Sequence, residues 1–314
     1  MASDVAERVK QLMALGPGQF AARTIEERRA NAELLWSLGA TEVEGTTYET
    51  ALLGGVPGEW ARPPGSAERS LLVYLHGGGY TIGSVATHRR LATHLAAASG
   101  RTGYLVEYRL APENPFPAGL DDAVAAFRGL VAAGFEPSEI VLAGDSAGGG
   151  LSLATALRLR DEGSPMPGAL VLLSPWTDVA LTGESIRTKR DLDLVIRLEE
   201  GEPGGADYLG GTGVPPTHPL VSPLYADLSG LPPMLVQVGS DEVLLDDSTR
   251  LAAKVEAAGG DVTLEVWPEM FHVFQMLAGN MPESDEAVGR IAAWLSSHEE
   301  RAAAPASADG AGEQ

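Results

Sequence analysis

Hydrophobic and polar positions follow two different periods along this chain, and the switches between them mark its elements. Short apolar runs, several of them rich in β-branched residues, recur at 46–53, 70–75, 102–108, 140–143, 169–173, 235–238 and 262–266, and predict strands. Apolar residues at helical spacing fill the intervals at 88–99, 120–132, 151–159 and 248–258, and again at 284–297. Asp121 and Asp122 sit in the first turn of one of these helices, where they suit its dipole, and Ser284 is placed to cap the last. Strand and helix alternate through most of the chain. That pattern predicts an α/β fold with a largely parallel central sheet and helices on both faces.

Three stretches fall outside the alternation. Residues 2–40 predict helices: Val5, Val9, Leu12 and Met13 recur at helical spacing, and Thr24 with Glu27 three residues on forms a helix start ahead of Ile25, Leu34, Leu35 and Leu38. Residues 182–213 are charged and glycine-rich, with a short helix-like piece at 191–198; a long insertion after a strand suits a lid. The tail from Arg301 is rich in Ala, Pro, Ser and Gly and predicts disorder. The organisation expected is an N-terminal helical cap segment at 1–45, a main domain at 46–300 carrying a cap insertion at about 182–213, and a tail at 301–314. The proline-rich stretch 57–66 reads as a turn between strands.

The sharpest local signal is the switch from strand to helix at Gly144-Asp145-Ser146-Ala147-Gly148. A turn this tight strains the backbone at Ser146 and pushes its hydroxyl out of the fold, and the two glycines leave room for the backbone to double back. The helix behind offers free N–H groups that can hold a developing anion. A second glycine run, His76-Gly77-Gly78-Gly79, follows directly on the strand at 70–75; such a run can turn its N–H groups toward an oxyanion. In open α/β sheets sites form at the carboxyl ends of strands. Ser146, Asp241 and His272 all lie just past predicted strand ends, in the nucleophile, acid, base order of hydrolases of this type.

Competing residues exist for the acid and the base. Asp246 and Asp247 fall at a helix start, where capping accounts for them, and Asp178 follows an earlier strand. Of the six histidines, His88 and His94 lie on a predicted surface helix, His218 among prolines, His298 near the tail, and His76 beside the glycines whose loop it shapes.

Charge and composition narrow the partners. A formal charge of −21 argues against nucleic acid and against an anionic membrane. The absence of cysteine removes disulfides, thiolate catalysis and Cys-zinc sites, and the histidines show no metal-ligand spacing, so no cofactor or metal is expected. The charged N-terminus lacks a signal-peptide core and no apolar run reaches membrane-spanning length, which makes a cytoplasmic location the expectation.

At these residues the chain resembles the bacterial hormone-sensitive-lipase-like family of α/β-hydrolases. The resemblance is carried by His76-Gly77-Gly78-Gly79, Tyr108-Arg109-Leu110-Ala111-Pro112-Glu113, Gly144-Asp145-Ser146-Ala147-Gly148-Gly149, Ser174-Pro175-Trp176, Asp241 and His272, in that order. It implies a serine carboxylesterase acting on small to medium acyl esters, with Ser146 as nucleophile, His272 as base and Asp241 as acid. It further implies an oxyanion hole from the N–H groups of Gly77, Gly78 and Ala147, and a lid built from the N-terminal helices and the insertion. Family members often carry Asp-Pro-Leu at the acid; here the triplet is Asp241-Glu242-Val243, which puts the local turn in question. The stretch 240–247 also looks like lactone-hydrolysing members, so a lactone is the alternative substrate. A non-catalytic binding protein of the same fold is the remaining reading, and the complete set of residues argues against it. Family habit alone suggests a homodimer.

Overall fold

The computed structural model describes residues 2–15, 24–37, 39–197 and 204–303. Its centre is an eight-stranded sheet: β1 (Thr47–Leu53), β2 (Val56–Arg62), β3 (Ala67–Leu75), β4 (Arg101–Val106), β5 (Ile140–Asp145), β6 (Ala169–Leu173), β7 (Met234–Gly239) and β8 (Val262–Trp267), in the spatial order β1-β2-β4-β3-β5-β6-β7-β8. From β4 to β8 neighbouring strands run parallel; β2 is antiparallel to both β1 and β4. The helices are α1 (Asp4–Leu15), α2 (Ile25–Trp36), α3 (Val85–Ala98), α4 (Ala118–Ala132), α5 (Ala147–Asp161), α6 (Ser185–Thr188), α7 (Ala206–Leu209), α8 (Leu245–Ala257) and α9 (Pro282–Ala303).

The period of two within buried strands sorts side chains onto two cores. Leu71, Val73 and Leu75 face one side, with Leu120 and Phe127 of α4, Leu151 and Leu157 of α5 and Leu251 of α8. Leu72 and Tyr74 face the other, with Leu91 and Leu95 of α3 and Ile291 and Leu295 of α9. Each such side chain contributes about 1.5–3 kcal/mol on leaving water, which is why these strands read as unbroken apolar runs. α5 is buried along almost its whole length against the sheet. A Cβ at Gly148 would lie 2.0 Å from the Leu75 carbonyl oxygen, so only glycine permits that approach.

Strand β2 covers most of the stretch expected to be a turn, 57–62 of 57–66. Gly54 and Gly55, with φ of +58° and +83°, close a two-residue hairpin from β1, and Pro57 pairs with Leu52 while its carbonyl accepts the Glu107 N–H at 2.9 Å. The cluster of prolines masked the Gly-Gly hairpin signal. α8 begins at Leu245, ahead of the expected start, so Asp246 and Asp247 lie inside its first turn and make no N-cap bond. Ser284 also lies inside its helix, and its hydroxyl donates to the Phe274 carbonyl at 2.6 Å.

The N-terminal helices form where expected but dock differently. Thr24 caps α2, its hydroxyl accepting the Glu27 N–H at 3.3 Å. Leu34 and Leu35 are exposed, as are Val5 and Leu12 of α1, whereas Ala6 and Ala32 are the buried positions. α2 is held by polar anchors instead: the Arg29 guanidinium donates to the Thr81 carbonyl (2.9 Å), the Ala111 carbonyl (3.0 Å) and the Glu113 carboxylate (2.7 Å). Within the insertion, 191–197 is not helical, because Asp193 draws the Val195 and Ile196 N–H groups to its own carboxylate. Residues 301–303, expected to open the disordered tail, continue α9. The expected tail beyond residue 303, Leu38 and 198–203 of the insertion lie outside the described residues.

Candidate active site

β5 ends at Asp145 and α5 begins at Ala147, which leaves Ser146 alone to reverse the chain. It does so at φ 52°, ψ −123°, a conformation that costs a non-glycine residue of order 1–3 kcal/mol. The Ser146 N–H donates to the Leu173 carbonyl at 2.8 Å, and the Ser146 carbonyl accepts from Gly150 (3.1 Å) and Trp176 (2.9 Å). The strain is therefore fixed by backbone bonds to β6, the segment after it and α5. The side chain, half-buried, stands at the N-terminus of α5.

His272 lies in the loop after β8, and its partner is not the residue expected. The carboxylate at hydrogen-bond distance is Glu242, not Asp241: His272 Nδ1–H donates to Glu242 Oε2 at 2.8 Å. Glu242 is 0% exposed and His272 7%. The second Glu242 oxygen accepts from the Ser174 hydroxyl (2.7 Å) and the Gly239 N–H (2.6 Å). Asp241 is tied elsewhere, its N–H donating to the Met270 carbonyl at 3.1 Å and its carboxylate accepting the Ser240 hydroxyl at 3.1 Å. The turn after β7 therefore delivers the following residue to the histidine, and the longer glutamate side chain spans the gap. The difference falls at the one triplet that departs from Asp-Pro-Leu.

Nor do the competing aspartates face His272. Asp246 accepts the Ser185 N–H at 2.9 Å. Asp247 accepts the N–H groups of Thr177 and Asp178, each at 2.7 Å, and burial pushes its carboxyl up to about 7. Asp178 binds Arg250 at 3.0 Å.

Burial pulls the His272 imidazole down, but the Glu242 hydrogen bond and the charges of Glu242, Asp193 and Asp145 outweigh it, so its pKa lies above the ordinary histidine value. A short chain of bonds joins this pair to the elbow: Ser146 bonds Leu173, and the next residue, Ser174, donates to Glu242 and accepts the Val273 N–H at 3.2 Å.

The glycine run leaves β3 beside β5. The Gly77 N–H, expected to face an oxyanion, donates instead to Asp145 Oδ1 at 3.0 Å. A Cβ at Gly77 would lie 2.1 Å from that carboxylate, so the contact is built into the loop. Gly78 and Gly79 turn at φ +115° and +61°, and a Cβ on Gly79 would meet only open space. Asp145 also accepts the Tyr74 hydroxyl at 2.7 Å and lies 3.4 Å from His88 Nε2. Burial opposes its charge, but His88, Tyr74 and His76 together hold it below the usual carboxylate range. His88, expected on a surface helix, is thus a buried support of this loop. His76 donates through Nδ1 to the Gly77 carbonyl at 2.8 Å and stacks on Tyr108 at 4.3 Å. Burial, then the proximity of His88, lowers its pKa to about 3, which keeps the ring neutral near pH 7.

An Abhydrolase_3 family model, described as alpha/beta hydrolase fold, matches residues 72–276, which carry the glycine run, the elbow and His272. The chain belongs to this family. Among its relatives, an acetyl-hydrolase of Streptomyces hygroscopicus is 42% identical over 94% of this chain and 97% of its own length. A carboxylic ester hydrolase of Mycobacterium tuberculosis, LipN, is 34% identical over 77% of this chain and 68% of its own. The crystal structure of an esterase from the bacterial hormone-sensitive lipase family superposes with a TM-score of 0.89 at 44% identity, covering 95% of this chain and 99% of that one. The protein is a carboxylic ester hydrolase of that group. Glu242, His88 and Asp145 make contacts here that periodicity and motif order did not single out. The only signal for Glu242 was its place beside Asp241 in a triplet that departs from the family pattern.

Proposed function

We propose that the esterase hydrolyses short to medium acyl esters through an acyl-enzyme, with Ser146 as nucleophile, His272 as general base and Glu242 as its acid partner. The observation that carries this reading is the 2.8 Å bond from His272 Nδ1 to Glu242, at the sheet edge where Ser146 emerges. With the Nδ1 proton held by Glu242, Nε2 presents a lone pair and accepts the Ser146 proton as Oγ attacks the ester carbon. The imidazolium then protonates the departing alcohol. Water, deprotonated by the same nitrogen, releases the acid. Gly79 takes the place of Gly77 as a loop donor to the oxyanion, beside the expected Gly78 and Ala147 N–H groups, because the Gly77 N–H is already bonded.

Aromatic rings beside the elbow favour a small acyl group. Trp176 is bonded through its backbone to Ser146, Tyr80 follows the glycine run, and Tyr208 of the insertion stacks on Tyr80 at 3.8 Å with Phe116 edge-on at 5.8 Å. A panel of p-nitrophenyl esters from acetate to palmitate, with lactones and an emulsified triglyceride, tests this. The highest kcat/KM is expected among the short to medium acyl esters; strong activation by emulsified long-chain triglyceride would overturn the proposal.

The pH profile is a second check. His272 acts as base only when neutral, and its pKa is raised. The acidic limb of kcat/KM should therefore fall above the ordinary value of about 6.5, with activity lost as pH drops through it. A limb below that value would remove Glu242 from its place beside the imidazole.

A further inference from the structure

Two side chains of the insertion grip Val243, the residue directly after Glu242. Asp193 is fully buried; its Oδ2 accepts the Val243 N–H at 2.9 Å while its Oδ1 accepts those of Val195 (2.9 Å) and Ile196 (2.8 Å). Ser185, at the start of α6, donates its hydroxyl to the Val243 carbonyl at 2.6 Å and accepts the Asp246 N–H at 3.0 Å. Asp246 returns the bond, accepting the Ser185 N–H at 2.9 Å. Both backbone polar groups of Val243 are thus satisfied from the insertion and not from the turn itself.

The use of a carboxylate is the informative detail. A neutral acceptor serves a backbone N–H equally well, and burying a carboxylate costs more than burying an amide or hydroxyl. The charges that raise the His272 pKa are those of Glu242 from the turn after β7, Asp193 from the insertion and Asp145 from the end of β5, all acidic. Their field favours an imidazolium, the species formed when the base takes the serine proton.

We infer that the insertion is more than a cover: Asp193, aided by Ser185, is a positioning residue that holds the Glu242 turn in register and adds its charge to the field at His272. This rests on the assignment of His272 and Glu242 to the triad. The consequence is a fold-level coupling, since displacement of the insertion releases the Val243 N–H and removes a charge from the base in one step. Its direction agrees with the raised pKa of His272, to which Asp193 contributes.

Two substitutions separate position from charge. Asp193→Asn keeps the shape and one acceptor but deletes the charge; kcat on p-nitrophenyl acetate is expected to fall about 10–100-fold, the range for a displaced catalytic group, with little change in KM. Its acidic limb in kcat/KM should move to lower pH. Ser185→Ala removes the grip on the Val243 carbonyl and the acceptor of the Asp246 N–H but no charge, so kcat should fall by a smaller factor with the limb unmoved. The His272 ring resonances, titrated by NMR in Ser146→Ala and in Ser146→Ala with Asp193→Asn, read the same shift without turnover. An unmoved limb and an unmoved titration in Asp193→Asn, or a loss carried wholly by KM, would overturn the inference. Full activity in Ser146→Ala would instead remove the triad reading beneath it.

Discussion

Replacing Ser146 with alanine is expected to lower kcat on p-nitrophenyl acetate by about 10⁶, the scale for loss of a triad nucleophile, with the fold intact. The elbow is shaped by the Ser146 backbone, whose N–H and carbonyl make the bonds to Leu173, Gly150 and Trp176. Alanine retains all of these bonds and the same Cβ, so the strained φ of 52° is imposed as before. What is lost is the oxygen that His272 activates. Circular dichroism and a urea midpoint on the variant check the fold, and steady-state kinetics check the chemistry. Residual kcat within about 100-fold of the parent, in protein free of contaminating esterase, would place the nucleophile elsewhere, since a triad without its nucleophile retains only the slow catalysis of binding and the oxyanion site.

The next largest effect distinguishes adjacent carboxylates. Glu242→Gln is expected to cost up to about 10⁴ in kcat, whereas Asp241→Asn should leave kcat near the parent value. The reason is the tautomer. In the glutamine variant the amide oxygen can keep the bonds from Ser174 and Gly239, which Glu242 now accepts at 2.7 and 2.6 Å. The amide NH₂ then faces His272 Nδ1, which must become the acceptor. The ring proton moves to Nε2, and the nitrogen needed by Ser146 can no longer take its proton. Asp241 has no such hold on the ring; its carboxylate accepts the Ser240 hydroxyl. Kinetics on the two single variants decide between them, and a dead Asp241→Asn beside an active Glu242→Gln would return the acid to Asp241.

The bonding of His272 to Glu242 where Asp241 was expected shows which contacts a sequence carries. The alternation of apolar runs and helical spacing dictated the parallel sheet, because strands buried on both faces must be apolar throughout and cannot be mistaken for surface loops. The elbow was legible for a similar reason. Gly144 answers a local steric demand, since a Cβ there would lie 2.4 Å from the Gly148 carbonyl oxygen, while Gly148 answers the approach of α5 to β3, where a Cβ would lie 2.0 Å from the Leu75 carbonyl oxygen. His272 was legible from its place after the last strand. The strand pattern, the tight turn at Gly144 and the place of His272 are consequences of sequence-local geometry.

What the tertiary structure alone decided are contacts between segments far apart in the chain. Whether Asp241 or Glu242 meets His272 depends on how the turn after β7 is pinned, and the pins come from Trp267 at the end of β8, from Met270 after it, from Ser174 after β6 and from Asp193 in the insertion. Whether the Gly77 N–H is free for an oxyanion depends on Asp145, 68 positions away. His88 looked like a surface histidine because helical periodicity does not reveal that the polar tip finds Asp145 in the core. In each case a polar group is placed by a partner that no spacing rule connects to it. Apolar burial repeats along the chain with the period of its secondary structure and can be read there, whereas hydrogen-bond pairing is set by a few tenths of an ångström in three dimensions, after the sheet has brought its strand ends together.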